Sequence, residues 1–284
     1  MGLLSGLSSL GLGKLENMDV FGKEEKEKEK AQTEVQQKAP AVDERDLIFE
    51  KTFQCPVCDK KFAAKIMKSG KAKVLGTDFD LKPRYEGIDA TKYDVLLCDH
   101  CGYAVLGRFF GTLAPSQAKA IRENISSSVK IVPPRGEVYT YEEAYERYKL
   151  CLANAVVKRA KNSEKAYICL KSAWLVRGYA AELEKDGPSN ASRVVELNQE
   201  EEECLQSALE GFTEAETTEH FPICGMDQYT LDYLLAQLNF HFKKYDEASK
   251  IVGRLLTDRS TPTHTKNRAL DLKEQIVTAK KSEK

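Results

Sequence analysis

Cys55-Pro56-Val57-Cys58 and, after a gap of 39 residues, Cys98-Asp99-His100-Cys101-Gly102 are the stretches on which the fold turns. Zinc takes four ligands at the corners of a tetrahedron. Two thiolates two residues apart on a tight turn supply one edge of it, and a second such turn supplies the opposite edge. The spacing therefore predicts one structural Zn2+ held by Cys55, Cys58, Cys98 and Cys101. The glycine after the second pair permits the left-handed backbone that turns amides toward the sulfurs. The competing reading, two redox pairs, wants a thioredoxin-like βαβ pattern around a Cys-x-x-Cys, and none surrounds these. His100 lies between two ligands and is expected to point away from the metal. Four thiolates leave no open position for water or substrate, so the ion's expected task is folding rather than catalysis.

Outward from the knuckles, residues 47–110 read as a small β-rich zinc-ribbon module. Short apolar stretches (62–66, 73–75, 93–97) are separated by Ser69-Gly70 and Glu86-Gly87. Residues 111–140 are a connector with a short helix opened by Pro115-Ser116 and stopped before Pro133-Pro134. From 141 to 284 the periodicity is helical. Ala144, Tyr148, Cys151 and Ala155 form one stripe. Asn162-Ser163 is expected to cap the next helix, which carries Ala166, Leu170, Ala173, Trp174 and Arg177. Asp186-Gly187-Pro188 breaks it, and a long helix follows from about Ala191 to Thr217, with Glu201 interrupting its apolar side. Between Tyr229 and Leu256, Leu231, Leu235, Leu238 and Phe242 share a face, and Asp246 is expected to cap a second helix bearing Ala248, Val252 and Leu255. Leu235-Ala236, Tyr245 and Ala248 fall at tetratricopeptide spacing, with Lys243 where such repeats place glycine. Pro262 opens a last, capping helix with Ala269, Leu272 and Ile276 inward. The fold class is thus α+β: a small zinc ribbon followed by a tetratricopeptide-like helical array. Residues 1–46, with Gly2, Gly6, Gly11, Gly13 and Gly22 and the charge run 23–30, are expected to form a flexible tail, whose Leu3–Phe21 segment is a candidate docking element.

The chain has 284 residues, 43 basic against 44 acidic, and 42% hydrophobic content. Nothing in that balance draws the whole protein to nucleic acid or an anionic membrane. No apolar run is long enough to span a bilayer, and Met1–Phe21 lacks the pattern of a secretory signal. The expected location is the cytoplasm, where thiols stay reduced. Cys151, Cys169 and Cys204 then read as small buried apolar residues. Cys224 and His220 share a loop, but two further ligands for a metal are missing.

Locally the ribbon is basic. Lys60, Lys61, Lys65, Lys68, Lys71, Lys73, Lys82 and Arg84 stand against Asp59, Asp78 and Asp80, a net of +5. A basic ribbon can bind nucleic acid, and the solvated β-face is the alternative. No phosphate loop, nucleophile elbow or metalloprotease motif occurs, so no enzyme is expected.

The matching pieces for a known family are Cys55-Pro56-Val57-Cys58 with Lys61-Phe62, and Asp80 with Pro83-Arg84-Tyr85-Glu86-Gly87. To these add Tyr93-Asp94-Val95 followed by Cys98, Cys101 and Gly102-Tyr103-Ala104, then Tyr148, Ala173-Trp174-Leu175-Val176-Arg177 and Tyr233-Leu234-Leu235-Ala236. On these the chain resembles, over roughly residues 47–258, the bacterial family catalogued as domain of unknown function 2225. The resemblance implies the architecture and a bacterial cytosolic setting, not a reaction. The expected function is a zinc-stabilised, non-enzymatic protein–protein interaction adaptor, its partner another protein engaged through a basic segment. The alternative is a nucleic-acid-binding regulator using the basic ribbon. Tyr233, Gln237 and His241, opposite the leucine stripe, are expected on an accessible groove unless the connector covers them, and the acids of 200–219 would flank it.

Overall fold

A computed structural model describes residues 42–282 apart from 112, 132 and 135. The expectations for residues 1–41, the tail and its leucine segment, lie outside the described residues. Among the described residues six short strands pair as three antiparallel hairpins. They are β1 (Ile48–Gln54) with β2 (Lys61–Met67), β3 (Val74–Thr77) with β4 (Pro83–Tyr85), and β5 (Val95–Leu97) with β6 (Ala104–Leu106). Seven α-helices follow: α1 (Pro115–Ile121), α2 (Tyr141–Val157), α3 (Asn162–Lys185), α4 (Ala191–Thr218), α5 (Gln228–His241), α6 (Tyr245–Thr257) and α7 (Thr263–Ser282). Among the described residues no helix is long and apolar enough to cross a membrane.

The α+β reading holds, and the predicted stripes are the buried faces. In α2, Ala144, Tyr148, Cys151 and Ala155 are buried. In the last helices Leu231, Leu235, Leu238, Ala248, Val252, Leu255, Ala269, Leu272 and Ile276 are all buried. Strands β5 and β6 do not form a separate core. Val95, Leu97, Ala104 and Leu106 pack with Ala144, Tyr148, Cys151, Ala155, Ile168 and Leu175, so the hairpin of the second knuckle and helices α2 and α3 exclude water together.

Two expected caps are corrected. Asn162-Ser163 does not cap α3 from its own side chains. The Glu219 carboxylate instead accepts from the Ser163 backbone N–H at 3.0 Å and from its hydroxyl at 2.6 Å. An anion at a helix N-terminus satisfies free N–H groups wherever in the chain it comes from. Asp246 sits inside the first turn of α6 and pairs with Lys280 of α7 at 2.7 Å.

The groove is also corrected. Tyr233 and Gln237 are 8% and 6% exposed. Tyr233 packs with Val252 and Leu272, and its hydroxyl accepts from the Gln237 amide at 2.6 Å. The residues from Leu231 to Asn239 are all buried, so α5 is a central helix covered on every side by its neighbours rather than by the connector. Of the three expected groove residues only His241, at the end of α5, stays half-exposed; it bonds Glu202 at 2.9 Å and stacks on Phe79.

The missing repeat glycine leaves a trace. Lys243 stands at φ +58°, the left-handed conformation a glycine would take without cost, and it ends α5 where the chain turns into α6. A side chain there costs roughly 1–2 kcal/mol, partly offset by glycine's larger unfolded-state entropy. Lys243→Gly is therefore expected to stabilise the protein by about 0.5–1 kcal/mol. Urea denaturation checks this; a lower midpoint would contradict it.

Candidate metal centre

Each pair of cysteines sits in the turn of a hairpin, and the two turns are built alike. After β1, the Cys55 N–H donates to the Lys60 carbonyl at 3.0 Å and the Asp59 N–H donates to the Cys55 carbonyl at 2.9 Å. After β5, the Cys98 N–H donates to the Tyr103 carbonyl at 2.9 Å and the Gly102 N–H donates to the Cys98 carbonyl at 2.9 Å. Asp59 and Gly102 follow the second cysteine of their pairs, and both are left-handed, at φ +61° and +73°. Asp59 tolerates this at some cost, as short polar residues do. Gly102 has a second constraint, because a Cβ there would lie 2.7 Å from Cγ1 of Val129.

Facing each other, the turns bring four sulfurs within 4.8 Å of one another. Cys55 and Cys101 are 3.6 Å apart and Cys58 and Cys98 3.7 Å apart. A disulfide would need about 2.05 Å. A tetrahedron with metal–sulfur bonds of ~2.3 Å has edges of about 3.8 Å. The sulfur cage thus has the size of a tetrathiolate metal site, and no other group of metal-ligating side chains converges among the described residues. Cys55, Cys98 and Cys101 are buried and Cys58 is partly so.

The electrostatics of the bare thiols point the same way. Hydrogen bonds from Cys101 and then Cys98 hold the Cys55 thiol far below its ordinary range. The hydrogen bonds to Cys55 and Cys98, with burial, push Cys101 far above it. Four thiolates at these distances repel one another strongly, and a cation removes the conflict.

Helices brace both turns. Arg122, just past α1, donates to the Val57 carbonyl at 2.7 Å. Asn154 of α2 donates to the Gly102 carbonyl at 2.9 Å. Around the sulfurs Val57, Phe62, Ala64, Leu96, Tyr103, Val105 and Ile121 form an apolar shell. His100 is turned outward, its Nε2 3.1 Å from the Lys61 carbonyl, and lies outside the sulfur cluster. Cys224 donates to the Ser163 carbonyl at 3.3 Å instead of joining a metal cluster with His220.

A second constellation joins residues that the sequence shows only singly. Asp80 on the β3–β4 hairpin is fully buried, and Arg177 of α3 reaches it at 2.6 Å. The same guanidinium binds Glu201 of α4 at 2.7 Å and Asp78 at 3.4 Å. Beside it Lys82 pairs with Asp89 at 2.9 Å and donates to the Trp174 carbonyl at 2.8 Å. The signals were present: Arg177 ends an apolar stripe and Glu201 interrupts one. Each is the other's reason.

Fold and site together define a four-thiol ribbon protein built onto a helical array. The chain belongs to the family of domain of unknown function 2225, described as an uncharacterised protein conserved in bacteria, whose model matches residues 48–276. No curated protein and no solved structure matches it.

Proposed function

We propose that this protein is a non-enzymatic adaptor whose ribbon is folded by one Zn2+ on Cys55, Cys58, Cys98 and Cys101, acting in the cytoplasm. The closure of the sulfur cage carries the reading: four thiolates complete the coordination sphere, so the ion serves structure and not chemistry. The metal-built half then acts as a fixed end for the helices. On α4, Glu196, Glu203, Glu210 and Glu214 are exposed and recur at helical spacing along one side. Such a stripe fits a partner segment with basic residues.

The nucleic-acid reading has less behind it. Of the basic residues in 59–84, Lys73, Lys82 and Arg84 pair with Glu86, Asp89 and Asp78. Lys65 and Lys68 donate to the carbonyls of Gly136 and Asp46. The charge is spread among intramolecular contacts instead of lining one phosphate track.

Affinity capture from the native host, with nuclease treatment and with a Glu196→Lys/Glu203→Lys/Glu210→Lys variant, tests the proposal. A nuclease-resistant partner lost in the charge-reversed variant is expected. Recovery of nucleic acid, or of partners only while nucleic acid is intact, would reverse the ranking.

A further inference from the structure

A cleft runs between the β hairpins and α3. It holds two adjoining chambers of about 570 Å³ and 310 Å³, and Pro83, Arg108, Tyr167 and Lys171 line both. Volumes of roughly 300–1,000 Å³ are those of small-molecule sites. The walls are rich in flat rings: Phe53, Tyr85 and Tyr93 in the larger chamber, Trp174 in the smaller and Tyr167 in both.

The charges are unbalanced. Lys51, Arg108 and Lys171 line the cleft, and Asp94 is its one carboxylate. Asp94 is already taken, accepting from Lys171 at 2.7 Å. Arg108 has no carboxylate at ion-pair distance among the described residues. Its guanidinium is held instead by ring faces, 4.8 Å from the centroid of Tyr167 and 5.7 Å from that of Phe109. The backbone at Gly225 closes behind it, at φ +76°, where any Cβ would collide with the guanidinium. A planar cation fixed by rings and lacking a counter-ion is a preset contact for an oxyanion. Trp174, 4% exposed, lines the smaller chamber and adds a further ring to its wall.

We propose that this cleft binds a small organic oxyanion with a flat apolar body, the anionic group on Arg108 and the body against Tyr167 and the aromatic wall. This site is separate from the adaptor surface on α4 and does not depend on that reading.

Trp174 is the only tryptophan in the chain, so intrinsic fluorescence reports on the smaller chamber. The full-length protein is titrated with phenyl phosphate, with benzoate and with inorganic phosphate. A saturable change in emission is expected with phenyl phosphate or benzoate, whichever head group the site prefers, with inorganic phosphate binding about tenfold more weakly for want of the apolar body. Arg108→Gln is expected to weaken binding about tenfold while keeping the melting curve, since Arg108 is exposed; Lys119→Gln on α1 serves as the surface control. The proposal is overturned by no saturable change at millimolar ligand, by equal binding in Arg108→Gln, or by inorganic phosphate binding as well as the aromatic probes.

Discussion

Cys98→Ser is expected to abolish metal retention and to unfold far more than the second knuckle. Structural zinc in small tetrathiolate sites supplies roughly 10–16 kcal/mol of apparent binding energy, as much as the whole stability of a typical domain. One serine leaves three thiols and a broken tetrahedron. The effect is not confined to the ribbon, because Val95, Leu97, Ala104 and Leu106 beside that knuckle share a core with α2 and α3. Elemental analysis of the wild type should find about one zinc per chain, with none in the variant. Circular dichroism should show part of the helical signal lost with the strands. Wild-type protein that carries no metal, with its four thiols freely titratable while folded, would end the zinc reading. Chelation of the wild type should reproduce the variant, which separates the ion's role from any role of the Cys98 side chain.

The next largest effect is expected at Arg177. Arg177→Met leaves the carboxylate of Asp80, which is fully buried, without its bidentate partner, and frees Glu201 as well. Removing one partner of a buried pair costs about 3–5 kcal/mol, most of it the penalty of an unpaired charge out of water. Replacing both, as Arg177→Met/Asp80→Leu, should recover much of that loss, because apolar groups of similar size need no counter-ion. Urea denaturation of the two variants and the wild type decides it. A loss under about 1 kcal/mol in Arg177→Met would place the pair among solvent-screened surface bridges. The wild-type contact fastens the β3–β4 hairpin to α3 and α4, so hydrogen exchange in residues 73–86 should accelerate in the single variant.

The sequence by itself determined the helical periodicity and which four cysteines converge. Two Cys-x-x-Cys turns allow few arrangements other than a facing pair, because the tetrahedron demands two edges and each turn supplies one. Helical stripes in α2, α5, α6 and α7 were legible because a buried face repeats at the period of its own helix, which is local information. Partners were not legible. Glu219 caps α3 from 56 residues away, and no local pattern encodes which carboxylate will arrive. Arg177 reads as the end of one stripe and Glu201 as an interruption of another, and only their meeting with Asp80 makes them a network. Tyr233 and Gln237 were polar enough to suggest an open face. They are buried because α5 is enclosed by its neighbours, and a hydrogen bond between the two satisfies the polar atoms there. The cleft beside α3 has the same origin. Arg108 comes from the strand module and Trp174 from a helix, and their shared chamber exists only because packing set those two segments side by side.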